Sequence, residues 1–98
     1  MPKAYWINTF RAVHDPDKLA AYAELAGPIM LAGGGRFLAR GMPAAAYELG
    51  LMQRTTVIEF PSVEAAIATY EGADYQAALA ALGDGAERDI RIIEAATG

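Results

Sequence analysis

The sequence has no cysteine and a single histidine in its 98 residues. The first absence excludes disulfides, a thiol nucleophile and zinc–cysteine sites. The second leaves too few imidazoles for a histidine-based metal centre within one chain, so no metal is expected. No apolar run approaches the roughly 20 residues needed to cross a membrane. The opening stretch MPKAYWINTF lacks the long apolar core of a secretory signal. The expectation is a reducing, cytoplasmic location with no membrane partner. Basic residues are also few: eight Lys and Arg stand against twelve Asp and Glu, for a net charge of −4. They are scattered and form no stripe. Nucleic acid is therefore not an expected partner, because a phosphate backbone calls for clustered Lys and Arg.

What is present is a globular composition, 54% hydrophobic and 20% charged. The length fits one domain, taken as residues 1–98. A chain of this size buries roughly two thirds of its unfolded surface, enough for one core.

Residues 4–11, AYWINTFR, are rich in aromatic and β-branched types and predict a strand. Asp15 followed by Pro16 predicts a helix start, with a capping acceptor and then a proline at the first helical position. Leu19, Tyr22, Ala23 and Ala26 recur at helical spacing. Gly27 and Pro28 interrupt that pattern, which predicts a kinked helix or two abutting ones. The stretch GGGRFLARG, residues 33–41, invites comparison with a phosphate-binding loop. Such a loop runs strand, glycines, helix. Here the order is reversed and the spacing differs, so the glycines read as a helix C-terminus and residues 36–41 as a second strand. In MPAAAYELGLMQ the alternation of Tyr47, Leu49 and Leu51 suggests a short strand or an extended arm. Residues 54–60 are a clear strand ended by Pro61. Ser62 caps a helix that EGAD breaks and Tyr75, Ala78, Leu79 and Leu82 resume. Gly83 and Gly85 stop it, and residues 89–95 form the last strand.

The order strand, helix, strand, strand, helix, strand is the α+β, ferredoxin-like βαββαβ unit: a four-stranded antiparallel sheet with helices on one face. Side chains alternate along each strand. Tyr5, Ile7 and Thr9 oppose Trp6, Asn8 and Phe10. Phe37 and Ala39 oppose Arg36, Leu38 and Arg40. Thr56, Ile58 and Phe60 oppose Thr55, Val57 and Glu59. Ile90 and Ile92 oppose Arg91 and Ile93. The small apolar sets are expected against the helices. The sets carrying aromatics with Asn8, Arg40, Glu59 and Arg91 are expected on the bare face, covered by a second copy of the chain. Two such sheets enclose a partly polar lumen, the usual form of a small-molecule site. Each candidate has a plainer reading. Arg40 and Glu59 make a cross-strand ion pair as readily as a functional one. Trp6, Tyr22 and Tyr75 fit packing, and Asn8 fits a backbone contact. His14 reads as a solvated loop residue and Asp15 and Asp17 as capping charges.

GGGRFLARG, VIEFPS and YEGADYQAAL, in that order and spacing, resemble the family known as domain of unknown function 1330, over nearly the whole chain. The resemblance implies a dimeric α+β barrel. It marks Gly34, Arg36, Arg40, Glu59, Phe60, Pro61, Ser62, Tyr70, Tyr75 and Gln76. The family often has Ser-Pro between the two helical tyrosines, where this chain has Gly-Ala-Asp. It also tends to carry an arginine late in the second helix, a role left here to Arg88. Related barrels include cofactor-independent monooxygenases and isomerases, but shared fold does not transfer a reaction.

The leading expectation is therefore a cavity that binds a small organic anion, phenolic or enolic. Glu59 would act as general base, with Arg40 and Asn8 stabilising an oxyanion. Trp6, Phe10, Arg36, Leu38, Val57, Tyr22, Tyr75 and Arg91 would contact the substrate. No flavin or nicotinamide fingerprint is present, so any oxygenase would work without a cofactor. The alternatives are a binding protein without chemistry, and a structural dimer whose lumen Trp6 and Phe10 fill.

Overall fold

The computed structural model describes residues 2–97. The elements are β1 (Ala4–Val13), α1 (Pro16–Ala32), β2 (Arg36–Gly41), β3 (Thr55–Phe60), α2 (Val63–Glu71), α3 (Ala73–Leu82) and β4 (Ala86–Glu94). The strands form one antiparallel sheet in the order β2-β3-β1-β4. This is the ferredoxin-like α+β arrangement anticipated from the sequence. The helices cover one face, and the fold is a slab 16 Å across its thinnest axis.

Helix α1 begins as the Asp-Pro pair dictates. The Asp15 carboxylate accepts from the backbone N–H groups of Asp17 at 3.0 Å and Lys18 at 3.2 Å. It then runs through Pro28 as one 17-residue helix, where a break was a possible reading. An interior proline costs about 3 kcal/mol. The helix persists because Tyr22, Ala26 and Met30, on both sides of the proline, are buried. The three glycines close the helix. Gly33 N–H donates to Ile29 O at 3.0 Å and Gly35 N–H to Met30 O at 2.8 Å. Gly34 takes the left-handed conformation at φ 97°. Gly35 must be glycine for a different reason: a Cβ there would lie 2.8 Å from Met30 O and 3.0 Å from both Ile58 and Phe60.

Ser62 caps α2 through the Ala65 N–H at 3.1 Å, and Gly72, in extended conformation, separates α2 from α3. Strand β4 starts at Ala86, three residues earlier than the local pattern indicates. Its first residues pair with the end of β1, Ala12 with Glu87 and Val13 with Ala86, beyond a register shift after Phe10. Residues 42–53 hold no strand. Gly50 N–H turns back onto Tyr47 O at 2.9 Å. Tyr47 and Leu49 are 80% and 93% exposed, so their alternation reflects no pairing.

The core is aromatic. Trp6 stacks on Phe60 at a centroid separation of 6.0 Å and meets the edge of Tyr75 at 5.3 Å. Tyr22, Met30, Ile58, Ala66, Ala78 and Leu82 complete it. This corrects the side assigned to the β1 residues. Trp6, Asn8 and Phe10 are buried beneath the helices, and Tyr5, Ile7 and Thr9 take the open face. Alternation sorts a strand into two sets but does not say which set points inward. Pairing does: Trp6 stands opposite Ile58 and Ile92, on the helix side. Trp6 and Phe10 therefore do not fill a lumen between two sheets.

Candidate functional site

A cavity of about 70 Å³ lies between α1 and the sheet, room for on the order of five water molecules or a small organic group. Its floor is Trp6, Asn8 and Phe10 from β1 with Thr56 and Ile58 from β3. Leu19, Tyr22, Ala26 and Met30 of α1 form the roof, and Phe37, Arg40 and Arg54 stand at the β2 side.

Arg40 reaches this side through a bulge. In β2, Arg36 stands opposite Glu59 and Phe37 opposite Ile58. The register then shifts, so that Ala39 stands opposite Val57 and Arg40 opposite Thr56. Strict alternation would have left Arg40 on the open face. The extra residue turns it to the helix side, where its guanidinium lies 4.5 Å from the Phe37 ring centroid.

The expected Arg40–Glu59 pair is therefore absent, because the two residues occupy opposite faces. Glu59 lies on the open face, 15% exposed, with Lys3 Nζ at 3.4 Å and an Arg36 nitrogen at 3.6 Å. Arg91 is on that face too, held by both oxygens of Asp89 at 3.1 Å. Val57 is half-buried there, and Leu38 sits in the bulge, 45% exposed. Thus Asn8, Trp6, Phe10, Tyr22 and Arg40 are brought together, while Glu59, Arg36, Val57 and Arg91 are not among them. Tyr75 lies one layer behind Tyr22, fully buried. His14 pairs at the surface with Glu87 at 2.7 Å.

Two features give the cavity its chemical character. Asn8 is only 6% exposed, and its Oδ1 has no hydrogen-bond donor among the described residues. A buried acceptor left in this condition costs about 1–3 kcal/mol. Second, neither Arg40 nor Arg54 has a carboxylate within ion-pair distance among the described residues, whereas Lys3, Lys18, Arg36 and Arg91 all do. An orphan acceptor beside uncompensated cations suits an anion that also carries an O–H or N–H donor.

Behind the cavity the Tyr22 and Tyr75 hydroxyls meet at 2.6 Å. Arg88 from β4 donates to Tyr22 at 2.9 Å and more weakly to Tyr75 at 3.4 Å. Burial, and then the neighbouring Tyr22, push the Tyr75 hydroxyl above its ordinary pKa. Burial works against the Arg88 charge, yet the two tyrosine oxygens outweigh it and hold the guanidinium above its usual value. Sequence reasoning missed Arg54, Thr56 and the position of Arg88. For Arg88 the signal was available: counting back by two from Ile92 and Ile90 places it on the helix side.

The family model described as "Domain of unknown function (DUF1330)" matches residues 3–96. The chain belongs to this family. No curated protein matches it. The fold of this DUF1330 chain recurs in solved structures at low identity. A protein of unknown function from Rhodopseudomonas palustris superposes with a TM-score of 0.74 at 17% identity, over 99% of this chain and 85% of that one. SnoaB, a cofactor-independent oxygenase from Streptomyces nogalater, gives 0.70 at 9% identity, over 100% and 97%. A dimeric ferredoxin-like protein of unknown function from Thermobifida fusca gives 0.66 at 18%, over 96% and 92%. At these identities the likeness concerns the fold. Among the described residues no helix is long and apolar enough to cross a membrane.

Proposed function

We propose that this DUF1330 protein, a single domain over residues 1–98, binds a small acidic phenol or enol in the cavity beneath α1. The observation that carries the reading is the buried, partnerless Asn8 Oδ1 beside Arg40 and Arg54. The two guanidiniums would receive the ligand's anionic group, and Asn8 would accept from its hydroxyl. The chemistry that fits is an oxygenation in which the bound phenolate or enolate itself supplies electrons to oxygen, or a proton shift along the ligand. A fold shared with a cofactor-independent oxygenase supports the first without assigning it. Glu59 is across the sheet, so the base must come from the helix side.

Independently of that cavity, we also propose a homodimer through the open sheet face and a cytoplasmic location. Ile93 is 57% exposed on that face, and Tyr5, Ile7 and Val57 are only half covered. A dimeric relative of the same fold is consistent with a second copy packing there.

Native mass spectrometry of freshly purified protein tests both parts. The expected result is a dimer mass, with a reproducible small-molecule adduct that Asn8→Ala combined with Arg40→Ala removes. Hydroxyaromatic carboxylates should bind the wild type, and the double variant should weaken them by at least about tenfold, the equivalent of one lost charge-assisted hydrogen bond. A monomer would sink the dimer. Equal binding by the double variant would sink the site. A ligand recovered unchanged after long incubation with protein and oxygen would leave binding without catalysis.

A further inference from the structure

Helix α1 carries one residue that the packing of the fold does not call for. Gly27 stands in the helix interior beside Pro28, and both are poor helix formers. Gly35 has a packing reason to be glycine, but Gly27 has none: a Cβ built on it meets no atom within 4 Å. Nor does Gly27 take a positive φ, as Gly34, Gly41 and Gly83 do. What Gly27 does have is a place on the cavity wall. Ala23, one turn earlier, lines the cavity from the same flank of the helix. Tyr22, on the other flank, reaches toward β4 and Arg88. The Ala23–Gly27 flank therefore faces β2, where Phe37, Arg40 and Arg54 line the same cavity. Ala23, Arg40 and Arg54 are exposed and Gly27 is half-buried, whereas Asn8 is buried. The mouth of the cavity thus lies between Gly27 and β2, and Asn8 lies at its inner end.

We propose that the ligand enters between Gly27 and Arg40 and lies along one row of the sheet, hydroxyl end inward and anionic end at the mouth, and that Gly27 keeps this passage open. Strand pairing sets the row: Asn8 stands opposite Thr56, and Thr56 opposite Arg40. Two strand spacings separate Asn8 from Arg40, roughly 10 Å. Arg40 does not lean across to shorten that span, because its guanidinium stays over Phe37 of its own strand, 4.5 Å from the ring centroid. A ligand that serves both ends needs its hydroxyl and its anion on opposite sides of a ring. This names a class within the proposed function, on which it rests: para-hydroxyaromatic carboxylates, and not their ortho isomers. In the ortho isomer the two groups are adjacent, and the hydroxyl donates to its own carboxylate. Asn8 Oδ1 is then left as a buried acceptor without a donor. Gly27 acts at the other end of the row, where any side chain would stand in the gap that the ring must pass.

The test is calorimetric titration of two isomers of equal mass and charge, 4-hydroxybenzoate and 2-hydroxybenzoate, into the wild type, Gly27→Ala and Gly27→Leu. The wild type should bind the 4-isomer at least about tenfold more tightly. Gly27→Leu should weaken the 4-isomer by at least about tenfold, and Gly27→Ala by about threefold. Both variants should melt, without ligand, at or above the wild-type temperature, because the helix gains a better former at a site with room for it. A merely structural role for Gly27 would instead lower the melting temperature. If Gly27→Leu melts below the wild type, Gly27→Ala decides, since its added carbon meets no atom. Unchanged binding of the 4-isomer by the deciding variant overturns the proposal. So does a wild type that binds the 2-isomer as tightly as the 4-isomer. Either result leaves the cavity reading standing, whereas a wild type that binds neither isomer overturns both.

Discussion

The two faces of the sheet treat charge in opposite ways. On the open face most cations have an acid beside them: Glu59 takes both Lys3 and Arg36, and Asp89 takes Arg91, while Arg11 has none among the described residues. On the helix face Arg40, Arg54 and Arg88 surround an aromatic floor without one carboxylate among the described residues. The chain carries more acids than bases, so acids are not scarce. Exposed ion pairs of the first kind contribute little, about 0–1 kcal/mol each. Arg40 and Arg54 are exposed at the cavity rim, where water and salt screen them in part, and an anion bound there gains from both. The face with fewer interactions is the one equipped to gain some.

Substitutions can break that contrast. The largest effect falls on the covered face: Trp6→Ala should lower stability by about 3–5 kcal/mol, because it empties the space shared by Phe60, Tyr70 and Tyr75. On the open face Ile93→Ala, at a residue 57% exposed, should change a monomer by less than about 0.5 kcal/mol. Denaturant midpoints compare the two directly, and a larger loss at Ile93 that grows with protein concentration would reveal a covering partner. Next, Asn8→Leu replaces the partnerless amide with an apolar group of similar size. It should leave the ligand-free protein unchanged or stabilise it by about 1 kcal/mol, while binding is lost. A clear destabilisation would mean that Asn8 already has its partner and the cavity loses its polar anchor. The smallest effect belongs to Glu59→Gln, under about 1 kcal/mol and shrinking as salt rises. Thermal melts at low and high ionic strength would show it.

The sequence displays the fold more openly than the site. Asp15-Pro16, Pro61-Ser62 and the glycines at 33–35 mark element ends by local chemistry that needs no tertiary information. The site depends on which set of each strand faces inward, and that is decided between strands. Trp6, Asn8 and Phe10 were recognisable as one set, yet only their pairing with β3 and β4 aims them at α1. Local composition misleads here, because the covered face is built from large aromatics and not from small residues. Residues 42–53 mislead in the other direction, since their alternation is real but has no neighbouring strand to pair with. The helix-side position of Arg88 needed only a count from Ile90, though of its tyrosine partners Tyr75 comes from the preceding helix and Tyr22 from α1, 66 residues away.

The bulge in β2 makes Arg40 a residue whose role is set by counting. Between Phe37 and Ala39 the strand spends two positions against one of β3. Deleting the extra residue would keep the arginine on the helix side, but pairing the same residues without the bulge would carry it through the sheet, to the side of Glu59. No side chain would change its chemistry, yet the cavity would lose a cation and the open face would gain one. In this short strand, pairing is itself a form of information: a relative can keep every motif and still present a differently charged cavity, if its residues between the glycines and Gly41 pair without the bulge.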